Sequence, residues 1–587
     1  MIYVADFETT TSPDDCRVWA WGSMNIETED YRKGLSLDEF MEWSLSKSGS
    51  QIYFHNLKFD GTFILCWLLG NGFEHVYIPS GKRVKLEGKQ FKTVISDDGK
   101  FYSIAVKVGK GFVTFKDSLK IIPIAIEAFS KAFGVEERKT KIDYMKERKE
   151  GYEPTEDEWD YLYHDVHLLK IGVKRLLDEG LNKLTVGANA LNWYKLEIGD
   201  KFRHLFPVLS PEVDKQIRKS YKGGYCYVND WCRGAVVGRG LVVDRNSMYP
   251  AEMKGKPYPI GEPIYFQGKY DDDGRFPLYV CRIACRFRVK DGYLPTIQLK
   301  HSFFLETEYL KTSEQEDGTD EPVVLSLTCV DLELFFTHYD VFDLEYLDGW
   351  KFMQANGVFS FYIDYWYKQK ELAARTDNAG LKQIAKLMLN NLYGKFGTRS
   401  EVGSKIPYLV DGEVKYQTMP SEEKETVYVP VACFVTAYAR DCVIRAGQAN
   451  YKNLCYIDTD SLHLVGTAVE GIQLDEYELG AWKVETRFQA AKFIRAKSYI
   501  ELFHVKPKLG KGRYAGNAYT KKRYVKRNGV IPGIPKFNIK CAGMPKSCHK
   551  YVTMDNFCVG STFAGKLQAK NVKGGQVLCD TSFTIKG

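Results

Sequence analysis

Apolar and polar residues alternate on both sides of one tight turn late in the chain. Leu454, Cys455 and Ile457 lead into Asp458-Thr459-Asp460, and Leu462 and Leu464 resume the alternation around His463. That period of two predicts a β-hairpin carrying two carboxylates one residue apart at its tip. Three further strands are read from short, continuous apolar runs. Ile2–Ala5 runs into Asp6-Phe7-Glu8, Ile52–Phe54 precedes a helix that continues through Leu69, and Leu241-Val242-Val243 ends on Asp244. Helical spacing dominates elsewhere. Tyr161 and Asp165 fall one turn apart on one helix face. In Leu381–Phe396, at about 100° per residue, Lys382, Lys386, Asn390 and Tyr393 share one face within about 80°, and Leu381, Ile384, Ala385, Met388 and Leu392 occupy the other.

The polar positions of these elements carry the chemistry. Like charges a few ångströms apart repel, so two acids on one tip need a positive partner. A divalent cation supplies it, and Mg²⁺ takes one or two carboxylates plus substrate phosphates. Asp244, at the end of its strand, is placed to face Asp458 and Asp460 across one such site. Asp6 and Glu8 point to one side of an extended segment and can reach one metal pair. With Asp60 and Asp165 they make four acids on separate elements, the donor set of a two-metal phosphodiester hydrolase. Any one of these acids is a surface acid by default; the ordered set is far more specific. His164 and His167 are read as solvated helix positions. The two ammonium groups on the 381–396 helix suit a polyphosphate, and Gly394 leaves room beside Tyr393. Tyr221-Lys222-Gly223-Gly224-Tyr225 admits either a nucleic-acid contact with close backbone approach or a plain turn.

Composition narrows the class. With 587 residues, 44% apolar and 27% charged, the chain is a multidomain globular protein. Its longest apolar run, Phe63 to Leu69, is too short for a bilayer, and the first residues lack a secretory pattern. The 14 cysteines include no C-x-x-C pair, as expected for free thiols in a reducing cytoplasm. The net charge of +7 hides an asymmetry: residues 481–587 carry 22 Lys and Arg against 4 Asp and Glu, +18, which leaves −11 for the other 480. A basic C-terminal fifth with interleaved aromatics and glycines points to nucleic acid. On the residues alone, a nuclease with a DNA-binding C-terminal part and a non-catalytic replication scaffold remain rivals. The first should lack a complete second acidic site, and the second should have degenerate acids. None of the seven acids is missing.

The motifs taken together resemble the proofreading family B DNA polymerases. Asp6-Phe7-Glu8, Asn56-Leu57-Lys58-Phe59-Asp60 and Tyr161-Leu162-Tyr163-His164-Asp165 are similar to the three exonuclease motifs. Asp244-Arg245-Asn246-Ser247-Met248-Tyr249-Pro250, Lys386–Gly394, Tyr456–Ser461, Lys497-Ser498-Tyr499 and Lys540–Met544 resemble the polymerase motifs in order. The wording is that of the protein-primed subgroup of small tailed phages. Met248 stands where leucine is usual, Lys141 where an acid is usual, and four extra residues separate Lys370 from Lys382.

The resemblance implies an α/β and α+β multidomain chain. A ribonuclease H-like 3′→5′ exonuclease domain (1–185) precedes a polymerase domain (186–587). The latter comprises a first palm insert (256–355), fingers (356–396), a second insert formed by a β-hairpin (397–428), palm (429–520) and thumb (521–587). It implies polymerase catalysis at Asp244, Asp458 and Asp460, and exonuclease catalysis at Asp6, Glu8, Asp60, Asp165, Lys139 and Tyr161. Two Mg²⁺ or Mn²⁺ at each site would be held by Asp244, Asp460 and the Arg245 carbonyl, and by Asp6, Glu8, Asp60 and Asp165. Nucleotide binding falls to Tyr249, Lys370, Lys382, Lys386, Asn390, Tyr393 and Gly394. DNA binding falls to Thr9, Asn56, Phe59, Ser118, Leu119, Tyr144, Tyr221, Gly223, Gly224, Ser247, Thr436, Arg440, Lys497 and Tyr499. The implied partners are primer–template and single-stranded DNA, dNTPs and a terminal protein that primes synthesis. The enzyme would be a monomer apart from that heterodimer, away from membranes, in the cytoplasm of an infected bacterium. Asp411-Gly412 between two apolar runs predicts a type I′ hairpin, which Pro407 confines to an edge. It is expected to project from the body; the resemblance implies that it acts as a strand-separating wedge, and on the local sequence alone a plain surface hairpin is an equal alternative.

Overall fold

In a computed structural model, the structure describes all residues except 80, 125–141, 145, 273, 300–308, 316–317, 506–533 and 587. They gather into two compact units. Met1–Pro211, Phe359–Val429 and Leu567–Cys579 form the first, and Glu212–Val358, Pro430–Lys566 and Asp580–Gly587 the second.

The first unit is built on an eight-stranded mixed sheet whose central strand is Ile2–Thr9, flanked by the antiparallel Val18–Asn25 and the parallel Gln51–Phe54. Alternation along Ile2–Thr9 buries Ala5 and Phe7 in an aromatic core with Phe40 and Phe54. The helix Leu57–Gly70 packs on this core, and Glu156–Asp178 runs along Ile2–Thr9 and Val18–Asn25. The latter helix begins with a capping box between Thr155 and Glu158. Ser360–Arg375 and Ala379–Phe396 form a helical pair packed with Val186–Ile198, joined by the Tyr362 hydroxyl donating to Met388 O at 2.8 Å.

The Asp411-Gly412 hairpin forms as predicted. Lys405–Val410 pairs with Glu413–Thr418, both turn residues have positive φ (52° and 79°), and the pair joins no other sheet. Its expected free projection is corrected by the structure. Val414 is fully buried, and Leu409 and Tyr416 pack on the first unit's core. Gly412 O accepts from Gly574 N at 3.1 Å, and Val414 O from Asn571 Nδ2 at 2.8 Å. The hairpin's alternation gives it an apolar face, and that face needs cover.

The second unit holds a five-stranded antiparallel sheet in the order Trp482–Phe488, Gly240–Arg245, Ser461–Val465, Leu454–Asp458, Cys226–Val228. Leu241, Val243, Ile457, Leu462 and Leu464 bury one face against Val443 and Ile444 of the helix Val429–Ala449. A four-stranded sheet follows, ordered Val236–Val237, Ala490–Arg495, Ser498–Val505, Ile534–Cys541. The 256–355 segment makes its own four-stranded sheet with the helix Cys329–His338, an α+β arrangement. All 14 cysteines are free thiols. No described helix is long and apolar enough to cross a membrane.

Candidate active sites

In the second unit, strand pairing assembles the acids. Asp244 lies in register with Ser461, the residue after Asp460, and Arg245 N donates to Asp460 O at 2.8 Å. The hairpin tip is a two-residue turn with Thr459 at φ 69°, held by Thr459 N donating to Tyr225 O at 2.8 Å. Burial first, then the charges of Asp244 and Asp458, push the Asp460 carboxyl up to about 6. Two ammonium groups answer these charges. Lys497 Nζ contacts Asp458 and lies 3.1 Å from Thr459 Oγ1, and Lys483 Nζ lies 3.2 Å from Asp244 Oδ1. Lys497 was identified in the sequence as a DNA contact; its partner here is an acid of the site. Lys483 was not identified at all. It reaches Asp244 because Trp482–Phe488 pairs with Gly240–Arg245 in a register that sets the two residues opposite, and nothing local to Lys483 signals that pairing.

The Tyr221–Tyr225 segment passes beside this tip. A Cβ on Gly224 would stand 2.7 Å from both Tyr249 Oη and Thr459 Cγ2, so the backbone there admits only glycine without displacement. Arg440 supports the segment from beneath. It is 2% exposed, bidentate to Asp331, and donates to the carbonyls of Lys222 and Gly223 at 3.0 and 2.9 Å. Thr436 is buried with its hydroxyl on Ala432 O. Ser247 has φ 50° at the turn into Met248–Gly255, the helix that carries Tyr249. The Arg245 guanidinium is turned to Glu252 and Gly480 O. Tyr499 is buried, and its ring packs on that of Tyr456, two residues before Asp458, at a centroid distance of 5.2 Å.

In the first unit, Asp6 and Glu8 leave the central strand on one side. Asp60, 3% exposed, sits in the first turn of Leu57–Gly70, and Asp165 lies on Glu156–Asp178. Burial raises Asp6 well above the carboxylate range, with Asp60, Asp165 and Glu8 adding to it. Glu8 rises to about 8 through burial and Asp165, opposed by Arg148. Asp60 rises to about 8, again chiefly through burial. Asp60 and Asp165 both raise Asp6 and Glu8, so the four acids lie within electrostatic reach of one another. The Tyr144 and Tyr161 hydroxyls are 3.0 Å apart beside them. Arg148, absent from the sequence reading, holds this loop: its guanidinium donates to Glu158, Lys146 O and Asp143 O.

Asn56 adopts φ 75°, which turns its exposed side chain outward while its N–H donates to Asp117 Oδ1 at 3.0 Å. Ser118 is buried, with its hydroxyl on Phe54 O, and supports the loop that carries Leu119. Thr9 ends its strand half-buried, and Phe59 packs on Phe63. Lys139 and Lys141 lie outside the described residues. On the helix Ala379–Phe396, Lys382, Lys386 and Asn390 are exposed, Tyr393 is half-buried, and a Cβ on Gly394 would meet no atom within 4 Å. Lys370, on Ser360–Arg375, stands over the Tyr367 ring.

No three acid, imidazole or thiol groups among the described residues form a ready-made cage for an ion. The donor chemistry nonetheless fits divalent cations. Both groups are carboxylates, burial and neighbouring carboxylates raise Asp6, Glu8 and Asp60 so that a positive charge would stabilise their ionised forms, and Mg²⁺ completes its shell with water and substrate phosphate.

A strand-borne acid beside a two-acid hairpin tip is the arrangement expected of a nucleotidyl-transferring polymerase palm. The sequence matches the family of type B DNA polymerases of organelles and viruses over residues 42–153 and 136–476. The DNA polymerase of Bacillus phage Nf is 41% identical over 601 residues, covering 100% of this chain and 99% of that one. That of Bacillus phage phi29 is 40% identical over 603 residues, with the same coverage. Among solved structures, phi29 DNA polymerase complexed with primer-template DNA and incoming nucleotides superposes with a TM-score of 0.89 at 40% identity, covering 100% of both chains. Its complex with single-stranded DNA gives 0.87 at 39%. The chain belongs to the type B DNA polymerases, within the phi29-like phage group. It is a DNA-directed DNA polymerase with the mixed α/β, multidomain architecture of that group.

Proposed function

We propose that this polymerase replicates a viral genome from a protein primer, displaces the strand ahead of it, and proofreads with a second, 3′→5′ exonuclease site. Supporting this reading is the occurrence of two separate carboxylate groups, Asp244–Asp458–Asp460 in one compact unit and Asp6–Glu8–Asp60–Asp165 in the other.

In the polymerase site Asp244 and Asp460 would hold two Mg²⁺ or Mn²⁺, with the Arg245 carbonyl as a further ligand and Asp458 in support. The chemistry supplied there would be activation of a primer 3′-hydroxyl and charge stabilisation at phosphorus. Lys497 screens Asp458 and, with Tyr499, holds the primer strand. Tyr249, kept in place by the bare backbone of Gly224, packs under the incoming sugar where a 2′-hydroxyl would clash. Lys370, Lys382 and Lys386 clamp the triphosphate as point charges, and Asn390, Tyr393 and the open side of Gly394 receive the base pair. In the exonuclease site Asp6, Glu8, Asp60 and Asp165 are the ligand set, and Tyr161 with Tyr144 positions the scissile end. Thr9, Asn56, Phe59, Ser118 and Leu119 shape the single-strand groove. On the template side are Tyr221, Gly223, Gly224, Ser247, Thr436 and Arg440. The domain division implied by the resemblance belongs to this reading, with primer–template, single-stranded DNA, dNTPs and a terminal protein as partners and the host cytoplasm as the setting.

The test is a labelled primer–template incubated with Mg²⁺, with and without dNTPs. Extension in the first lane and 3′ degradation in the second are expected. Extension without degradation under any divalent ion would leave a polymerase without proofreading.

A further inference from the structure

Between the carboxylate-bearing sheet and its four-stranded neighbour runs a chain of buried polar groups that the reaction scheme does not use. His463, 2% exposed, places Nδ1 2.7 Å from Oε1 of Glu501, which is fully buried. The second Glu501 oxygen accepts from Asn538 Nδ2 at 3.0 Å, and His463 Nε2 lies 3.4 Å from Ser461 Oγ. Rings of Tyr456, Phe493 and Tyr499 surround the imidazole at centroid distances of 5.2, 5.5 and 5.0 Å. The order hydroxyl–imidazole–carboxylate is that of a hydrolytic triad, but the Ser461 hydroxyl is buried and the rings occupy the space a substrate would need.

The placement of the chain's ends gives it meaning. Ser461 follows Asp460 and sits in register with Asp244. Glu501 follows Lys497 and Tyr499 on the strand Ser498–Val505 and its lead-in; Lys497 contacts Asp458, and Tyr499 packs on Tyr456, two residues before it. The Tyr456 hydroxyl accepts the Lys497 N–H at 2.8 Å, a second tie between the same two sheets. A buried ionisable pair stabilises a fold little compared with apolar side chains of equal volume. It does restrict geometry, because its hydrogen bonds are all made at one spacing and register only.

We propose that His463 and Glu501 are positioning residues that fix the Lys497–Tyr499 strand against the Asp458–Asp460 hairpin, and so set where a primer terminus rests over Asp244 and Asp460. The proposal depends on Lys497 and Tyr499 being primer-strand residues, as stated under the proposed function.

Glu501→Leu removes the acceptor, Glu501→Gln keeps one, and His463→Phe with Glu501→Leu fills the core with apolar groups. Glu501→Leu is expected to raise KM for primer–template or lower kcat/KM by about 10–100-fold, the cost of a misplacement near an ångström, and Glu501→Gln to recover much of it. The double variant should melt no lower than Glu501→Leu and keep the kinetic defect. Wild-type kinetics in the double variant would overturn the proposal, because a filled core would then suffice. Should either leucine variant fail to fold, Glu501→Gln and Asn538→Ala decide: a severalfold rise in primer–template KM in both supports the proposal, and no change in either overturns it. Lys497→Ala serves as the reference arm. If it leaves primer binding intact, the primer-strand reading fails; if it weakens binding while the pair variants do not, the positioning role fails alone.

Discussion

Replacing Gly224 by alanine adds one methyl group at the point where the Tyr221–Tyr225 segment, Tyr249 and the Asp458–Asp460 turn converge. That carbon would lie 2.7 Å from Tyr249 Oη, 2.7 Å from Thr459 Cγ2 and 3.4 Å from Thr459 Oγ1. Carbon contacts are comfortable at about 3.5–4.0 Å, so neighbours must yield by about 1 Å. Thr459 is tethered through its N–H to Tyr225 O and lies between the two aspartates. Tyr249 meets the new group with its hydroxyl, the far end of a long side chain, and is the part that gives way. Overpacking of this kind costs about 1–3 kcal/mol. A shift of the ring under the sugar should lower kcat/KM for a single dNTP by about 10–100-fold. Gly223→Ala is the control, since a Cβ there meets nothing within 4 Å; it should change stability by no more than about 0.5 kcal/mol. Single-nucleotide extension and thermal melting of both variants are the assays. If Gly224→Ala matched Gly223→Ala in kcat/KM, the convergence of Tyr249 and Thr459 on this backbone would not govern nucleotide placement.

Three further outcomes follow from the same geometry. Glu8 and Asp60 are raised to about 8 by burial, so the folded protein binds protons that the unfolded chain has released above about pH 4–5. This contribution to stability is complete at low pH and is lost as pH rises through about 8. In chelator, the wild type should therefore lose more melting temperature from about pH 5 to about pH 9 than Glu8→Gln with Asp60→Asn, and Mg²⁺ should restore most at the alkaline end; equal slopes would show that these carboxyls titrate normally. Tyr249→Val should raise the ratio of ribo- to deoxyribonucleotide kcat/KM by about tenfold or more, and an unchanged ratio removes the ring from the sugar pocket. Replacing 402–423 with a Gly-Ser linker should preserve extension on single-stranded template but stall at downstream duplex, with a lower melting temperature because Val414 no longer covers the core; undiminished synthesis through duplex would end the wedge role.

Much of this was legible in the chain. Asp458 and Asp460 lie on a short turn between alternating strands, and Asp244 ends a run of buried residues. The Leu381–Phe396 helix divides as its periodicity dictates, with Lys382, Lys386 and Asn390 exposed opposite a buried row. Local patterns reveal such features because they depend on neighbours one to four residues away. Lys483 escaped notice because its pairing with Asp244 is made by strands some 240 residues apart, through a register that shifts between Val242 and Val243. The 405–418 hairpin was visible as a hairpin, but what its apolar face covers depends on Leu57–Gly70 and on residues 567–579 arriving at the same place. His463 looked like an ordinary strand position; the carboxylate that gives it a role is on a strand of another sheet.

The most direct test of two independent carboxylate sites sets Asp460→Ala beside Asp6→Ala with Glu8→Ala on one labelled primer–template, each with and without dNTPs. Loss of a metal ligand removes several kcal/mol of transition-state stabilisation at its own site. Asp460→Ala should abolish extension and leave degradation of the single-stranded 3′ end, and the double exonuclease variant should do the reverse. Loss of both activities in either folded variant would contradict the account.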